Sequence, residues 1–140
     1  MDALAVIGTI SGNTLTFLDF FKKNSTLNTS VTREFDVSPL SYSHIILGSY
    51  TWGNGKIPKK MKEYLIANHH LLEGKKVFIF GSGNSVYPRF CGAVDGMAII
   101  CKDSGAEVHG CYKFDQSFNE EDLSPEEREN LISMIKQWSA

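Results

Sequence analysis

No stretch of this 140-residue chain approaches the ~20 consecutive apolar residues of a membrane span, so no transmembrane segment is expected. Cysteine is scarce. Cys91, Cys101 and Cys111 are an odd number without C-x-x-C spacing, which argues against a disulfide framework and against a zinc site. Free thiols fit the cytoplasm. Basic residues form no stripe: 14 Lys and Arg against 16 Asp and Glu leave a net charge of −2, which excludes the usual footprint of a nucleic-acid binder. No basic n-region or cleavage site precedes the first apolar run, so no signal peptide is expected. There is no internal repeat, low-complexity tract or Pro/Gly-rich linker. With 42% hydrophobic residues, a chain this long can bury about two-thirds of its unfolded surface, and residues 1–140 are expected to form a single domain.

What is present is a regular alternation of strand and helix. Ala3–Gly8 reads as a first strand. Asn13–Lys23 reads as a helix with Thr14, Phe17, Leu18 and Phe21 on one face. A mixed strand is expected over Thr29–Phe35, then a connection over Asp36–Ser43 in which Pro39 leaves little room for a full helix. The third strand is Ile45–Gly48. Pro58 suits the first turn of a helix carrying Ile57, Met61, Tyr64, Leu65 and Leu72, which Gly74 stops. Val77–Phe80 is a fourth strand, followed by a loop over Gly81–Tyr87. A helix over Pro88–Ser104 then exposes Phe90, Cys91, Val94, Ala98 and Cys101 on an apolar side and ends at Gly105. Glu107–Phe114 is the fifth strand. Ser124-Pro125-Glu126-Glu127 is a capping box that opens a final helix with Leu131, Ile132, Ile135 and Trp138 on one face.

Strands one, three and four are unbroken apolar runs, as expected when both faces are covered by helices, whereas strands two and five are mixed, as edges tend to be. A five-stranded parallel sheet in the order 2-1-3-4-5 puts the apolar strands in the middle. Right-handed crossovers then cover both faces with helices. The fold class is therefore α/β, a three-layer doubly wound sheet, whose ligand crevice lies at the carboxyl ends of strands one and three.

Three loops open at that edge. In the first, Thr9-Ile10-Ser11-Gly12-Asn13-Thr14, hydroxyls, an amide and free backbone N–H groups stand at the positive end of a helix. Such a turn can hold a phosphate, or it is an ordinary capped turn. It contains no Lys or Arg, so it is not a Walker A loop, and it is not G-x-G-x-x-G either. The second loop sets Trp52 among glycines, and the third sets Tyr87 beside Gly81, Gly83, Asn84 and Ser85. Each aromatic alone could pack on the surface. Together, beside a phosphate turn, two aromatics describe a clamp for a flat, monophosphorylated ring system.

Thr9-x-Ser11-Gly12-Asn13-Thr14, Tyr50-Thr51-Trp52-Gly53-Asn54-Gly55 and Phe80-Gly81-Ser82-Gly83-Asn84-Ser85-Val86-Tyr87 with Phe90-Cys91-Gly92-Ala93-Val94-Asp95 follow one another as in a short-chain bacterial flavodoxin, which the chain resembles over its whole length. The resemblance implies the flavodoxin-like fold, FMN as cofactor, and a low-potential carrier of single electrons rather than an enzyme. Thr9, Ser11, Asn13 and Thr14 would hold the phosphate. Trp52 and Tyr87 would sandwich the isoalloxazine, and backbone groups of Ser82, Gly83 and Asn84 would bond its pyrimidine edge. Ile10, Gly12, Tyr50, Thr51, Gly53, Asn54, Gly55, Phe90 and Cys91 complete the implied cofactor-binding set. The peptide Gly53–Asn54 would turn its carbonyl toward the ring when the flavin is half reduced, a move that glycine makes cheap.

The partners implied are a flavodoxin reductase and acceptor redox proteins, met by a cytoplasmic monomer. An alternative is the NrdI family, flavodoxin-like activators of class Ib ribonucleotide reductase. The mild charge and Gly81-Ser82-Gly83-Asn84 lean that way; the two stacking aromatics lean against it. A response-regulator-like module is disfavoured because Gly48-Ser49 and Gly8-Thr9 stand where it needs acids. Departures from the flavodoxin pattern are Ile7 and Leu18, both expected in the core, and Asn54 and Asn84, which stand where acids are common. With Lys56 and Arg89 nearby, these predict that the reduced, anionic ring is less penalised than in a strongly acidic flavodoxin. Bland roles are expected elsewhere. Cys91 packs on a helical face, His69 and His70 suit a helix end, and His44 and His109 are lone histidines in strands. Glu120, Glu121 and Asp122 form a solvated approach to the last helix, and Asp95 is either a surface acid or part of a partner face.

Overall fold

The computed structural model describes residues 2–8, 13–51, 55–86 and 90–140, with the side chain of Asn13 excepted. Among these, the strands are β1 (Asp2–Gly8), β2 (Asn28–Thr32), β3 (His44–Tyr50), β4 (Lys76–Gly83) and β5 (Glu107–Asp115). The α-helices are α1 (Asn13–Asn24), α2 (Lys59–Ala67), α3 (Gly92–Asp103) and α4 (Pro125–Ser139). The sheet order is β2-β1-β3-β4-β5, and every neighbouring pair is parallel. This is the order expected from the apolar character of the central strands. The edge strand β5 alternates exposed and half-buried residues over most of its length, whereas β1 is buried from Ala3 to Gly8.

The period of two along each strand divides the core between the faces. Ala3, Ala5 and Ile7 of β1 join Ile46, Phe78 and Phe80 under α1 and α4. Leu4 and Val6 join Ile45, Leu47, Val77 and Ile79 under α2 and α3. The first face is dominated by rings. Phe17 of α1 stands 4.5 Å from Phe80, 5.0 Å from Phe118 and 5.1 Å from Tyr112, centroid to centroid. Such pairs add about 0.5–1.5 kcal/mol beyond the area they bury. The Ser124 capping box forms as expected, with Ser124 Oγ accepting from the Glu127 N–H at 3.1 Å. Ile7 and Leu18 lie in this core, both essentially without solvent exposure.

Several boundaries differ from the sequence expectation. The second strand stops at Thr32 rather than Phe35. The Thr32 hydroxyl accepts from the Glu34 N–H and donates to Asp36, and this local turn replaces the ladder. Phe35 follows in the left-handed region at φ 57°, which no strand residue adopts. The helix expected to run to Gly74 ends at Ala67. Asn68 turns its side-chain amide back onto the Tyr64 carbonyl at 2.9 Å, and His69–Leu71 form a separate 3-10 turn.

Strands β3 and β4 run longer than expected. Ser49 pairs with Gly81 and Tyr50 with Ser82, so the start of the expected third loop is strand. Gly81 makes this approach possible, because a Cβ there would stand 2.6 Å from the Ser49 carbonyl oxygen. The third helix starts at Gly92 rather than Pro88. Cys91 has φ 51°, outside the right-handed helical region, so Phe90 and Cys91 form a turn ahead of the helix. Pro39–Ser41 is a short 3-10 turn, in line with the expected absence of a full helix there.

Candidate functional site

The carboxyl ends of β1, β3 and β4 lie side by side in the register Gly8–Ser49–Gly81. The strand order reverses between β1 and β3, so the chain's three unusual loops leave the sheet at one edge. Among the expected site residues, Thr9, Ile10, Ser11, Gly12, Trp52, Gly53, Asn54 and Tyr87 lie outside the described residues, as does the Asn13 side chain. The others frame the edge.

Thr14 is the second residue of α1 and is fully buried. Among the described residues, its Oγ1 has no hydrogen-bond partner. An orphaned buried hydroxyl costs about 1–3 kcal/mol, and this one stands in the first helical turn, where free N–H groups and the helix dipole attract an anion. The donors are neutral, hydroxyl and backbone N–H. They fit a phosphate group held without a formal counter-charge.

The second loop is anchored at both described ends. The Thr51 N–H donates to the Ser82 carbonyl at 3.1 Å, which ties it to β4. The Thr51 hydroxyl accepts from the Ala93 N–H at 3.3 Å, so a residue from the loop after β3 caps α3, whose own Cys91 offers no side-chain cap. That contact uses one lone pair of the Thr51 oxygen and leaves its O–H free to donate. Gly55, at φ 79°, lies flat against the start of α3. A Cβ on Gly92 would stand 2.6 Å from the Gly55 carbonyl oxygen and 2.7 Å from its Cα. Ser49 is buried and donates to the Tyr50 carbonyl at 2.8 Å.

The third loop is held by groups that the sequence reading missed. Asn84 Oδ1 accepts from the Val86 N–H at 3.1 Å, an Asx turn that occupies its side chain. Asp115, the last residue of β5, accepts from both the N–H and the hydroxyl of Ser85. The Gln116 N–H donates to the Gly83 carbonyl at 2.7 Å. Asp115 therefore supplies a carboxylate to the very loop in which Asn84 replaces the expected acid. Its signal was its position at the end of the strand beside β4. Asp95 is exposed, and Lys113 Nζ donates to it at 2.9 Å.

Cys91 is buried ahead of α3 rather than on its face. Its Sγ lies 3.6 Å from the Gly81 and the Phe114 carbonyl oxygens, and Gly83 lacks the Cβ that would otherwise stand 2.8 Å from the Cys91 nitrogen. Burial pushes the Cys91 thiol up to about 11, so it is almost wholly protonated at neutral pH. Phe90 is half-buried and packs against the core under α2 and α3. Among the described residues, no helix is long and apolar enough to cross a membrane.

Comparison with known proteins bears on what this edge holds. The family model described as Flavodoxin matches residues 8–129. "Probable flavodoxin 2" of Bacillus subtilis is 29% identical over 144 aligned positions, covering 97% of this chain and 93% of that protein. A flavodoxin of Streptococcus pneumonia TIGR4 superposes with a TM-score of 0.78 at 28% identity, covering 99% of this chain and 95% of the other. A Fusobacterium nucleatum flavodoxin bound to flavin mononucleotide superposes with a TM-score of 0.65 at 21% identity, covering 99% of this chain and 95% of the other; at that identity the likeness is one of fold.

Proposed function

The chain belongs to the flavodoxin family, and on that premise we propose that it binds FMN at the carboxyl edge of its sheet and carries single electrons at low potential between a reductase and acceptor proteins. The observation that carries this reading is the Thr14 hydroxyl, fully buried at the head of α1 and without a partner among the described residues, where a phosphate would supply an acceptor. When bound, FMN supplies the redox chemistry. The protein binds, orients and tunes it.

Each loop then has a distinct task. Thr9, Ile10, Ser11, Gly12, Asn13 and Thr14 close on the phosphate with neutral donors, which keeps formal positive charge away from the ring. Trp52 and Tyr87 cover the two faces of the isoalloxazine and exclude water. Tyr50, Gly53, Asn54 and Gly55 shape the wall on the β3 side, and Ser82, Gly83 and Asn84 present backbone groups to the pyrimidine edge. Thr51 serves both loop and scaffold: its hydroxyl accepts from α3 and its O–H remains available to the cofactor. Phe90 and Cys91 support the third loop from beneath. The side chains around the ring act in opposite senses. Asn54 and Asn84 in place of acids, with Lys56 and Arg89, ease the accumulation of negative charge on the ring, and Asp115 beside Ser85 opposes it. The single sheet with a core on each face supports reading residues 1–140 as one domain.

A potentiometric titration of the FMN-loaded protein tests the carrier role. A carrier gives two well-separated one-electron steps, the lower less negative than in strongly acidic flavodoxins. Overlapping steps would contradict the carrier role and favour the NrdI-type activity.

A further inference from the structure

The charge of the molecule is strongly divided about the flavin edge. Between residues 56 and 62 there are four lysines, Lys56, Lys59, Lys60 and Lys62, and no acid. Between Asp115 and Glu129 there are seven acids and one base. The small net charge of −2 hides this polarity.

The lysines are all exposed. Three of them occupy the first turn of α2, which contains no acid and has no side-chain cap. Lysines at that end oppose the helix dipole, so the arrangement costs local stability and sums to a concentrated positive potential. Among the described residues, Glu34, on the wall of the same cleft as Lys59 and Lys60, and Glu63 offset it only in part. The Lys59 side chain is 89% exposed and reaches Glu63 only at 3.8 Å, a contact that solvent screens almost completely. Beside the lysines lies a cleft of about 560 Å³ whose walls include Arg33, Glu34, Phe35, Tyr50, Lys59 and Lys60. Phe35 contributes its ring from a left-handed backbone conformation. Tyr50 links this cleft to the end of β3, and Lys56 directly follows Gly55 of the second loop. The cationic surface therefore adjoins the loop assigned above to the flavin.

We propose that Lys56, Lys59, Lys60 and Lys62, together with Arg33, form a docking surface for the carboxylate-rich face of a redox partner. The place of this surface in electron transfer rests on the FMN reading; the surface itself does not. Charge complementarity selects the partner. An acidic face is drawn to the α2 side and repelled from the Asp115–Glu129 side, which fixes the orientation in which it meets the flavin edge. Steering of this kind raises association rates by about tenfold or more at low salt and fades as the Debye length falls below about 10 Å.

The test uses two trivalent probes and the full chain. In the first arm, amide NMR spectra of the protein, with or without FMN, are recorded with the paramagnetic anion hexacyanochromate(III). Broadening centred on residues 33–35 and 56–62, lost in the double variant Lys59→Glu/Lys60→Glu, is expected. Uniform broadening, or broadening elsewhere, would overturn the proposal. Glutamates suit a helix N-terminus, so the variant should melt no lower than the wild type. In the second arm, the FMN-loaded, fully reduced protein is oxidised by ferricyanide. Two ferricyanides each take one electron to become ferrocyanide, and the flavin proton passes to water. The wild-type rate should fall as salt is added, and the variant should be about tenfold slower at low salt with the opposite salt slope. A wild-type rate that rises with salt, as the net charge alone demands, would contradict the proposal. Failure of the FMN reading would show separately, as a protein that takes up no flavin while the amide broadening remains in place.

Discussion

The Thr51 hydroxyl, at the end of β3, accepts a hydrogen bond from the Ala93 N–H in the first turn of α3 at 3.3 Å. One loop of the candidate site is thereby clamped to the helix that follows another. Thr51→Val preserves the shape and removes the acceptor. Loss of a cap costs about 1 kcal/mol, so urea unfolding should show a loss of that size, accompanied by weaker FMN binding because the second loop loses its anchor. Unchanged stability would mean that the cap is not used in solution.

Thr14→Val separates stability from binding. The buried hydroxyl has no partner among the described residues, so replacing it by a methyl removes a desolvation cost, and the FMN-free protein should gain about 1 kcal/mol in thermal unfolding. The same change removes a hydrogen bond to a charged phosphate, worth about 1.5–3 kcal/mol. FMN affinity, followed by flavin fluorescence, should fall about tenfold or more. A variant that loses stability and keeps its affinity would place the Thr14 hydroxyl outside the phosphate site.

Gly92→Ala sets two effects against each other. Alanine favours the helix by about 1 kcal/mol. Its Cβ, however, would stand 2.6 Å from a backbone oxygen of Gly55, which cannot rotate aside, and overpacking costs about 1–3 kcal/mol. The clash should win. Thermal unfolding should show a net loss, and FMN should bind more weakly because the second loop is pushed outward.

The thiols should react in order of exposure. Burial raises Cys91 to about 11 and Cys101 to about 12, leaving on the order of one Cys91 in ten thousand ionised at pH 7. Cys111 is exposed on β5. Alkylation with iodoacetamide, read by peptide mass spectrometry, should label Cys111 first and reach Cys91 and Cys101 only on unfolding. Early labelling of Cys91 would contradict its packing role.

His44 should make stability depend on pH. It is buried at the start of β3, edge-on to Trp138 with centroids 5.2 Å apart. Burial, and then the charge of Lys76, hold its pKa below the ordinary 6.5. The unfolded chain therefore binds a proton that the folded chain refuses. The associated stability is present above about pH 6.5 and is lost as pH falls from there toward the native pKa. Melting temperatures should drop across that window in the wild type and drop less in His44→Leu. Parallel curves would rule out His44 as the group responsible.

Much of this was legible in the chain before any coordinates. The unbroken apolar runs Leu4–Ile7, Ile45–Leu47 and Val77–Phe80 determined which strands are central, because burial on both faces leaves no room for polar alternation. That order brought three loops to one edge. Boundaries were less legible, since tertiary pairing overrode local signals. Gly81 and Gly83 look like loop residues and are strand, because their missing side chains let β3 approach and leave room for Cys91. Phe35 looks like strand and is a turn, because the Thr32 hydroxyl closes on Glu34 and Asp36. Asp115 was invisible as a support for the third loop, because its contact with Ser85 joins residues 30 apart in sequence. The double duty of Thr51 was hidden for the same reason.

The central claim is that this edge holds FMN. The most direct measurement is a titration of the purified protein with FMN, followed by visible absorption and by quenching of flavin fluorescence. The account predicts one FMN per chain, quenched on binding by Trp52 and Tyr87, with the quench much reduced and the affinity lowered in Trp52→Ala. A protein that carries no flavin and leaves added FMN fully fluorescent would contradict it.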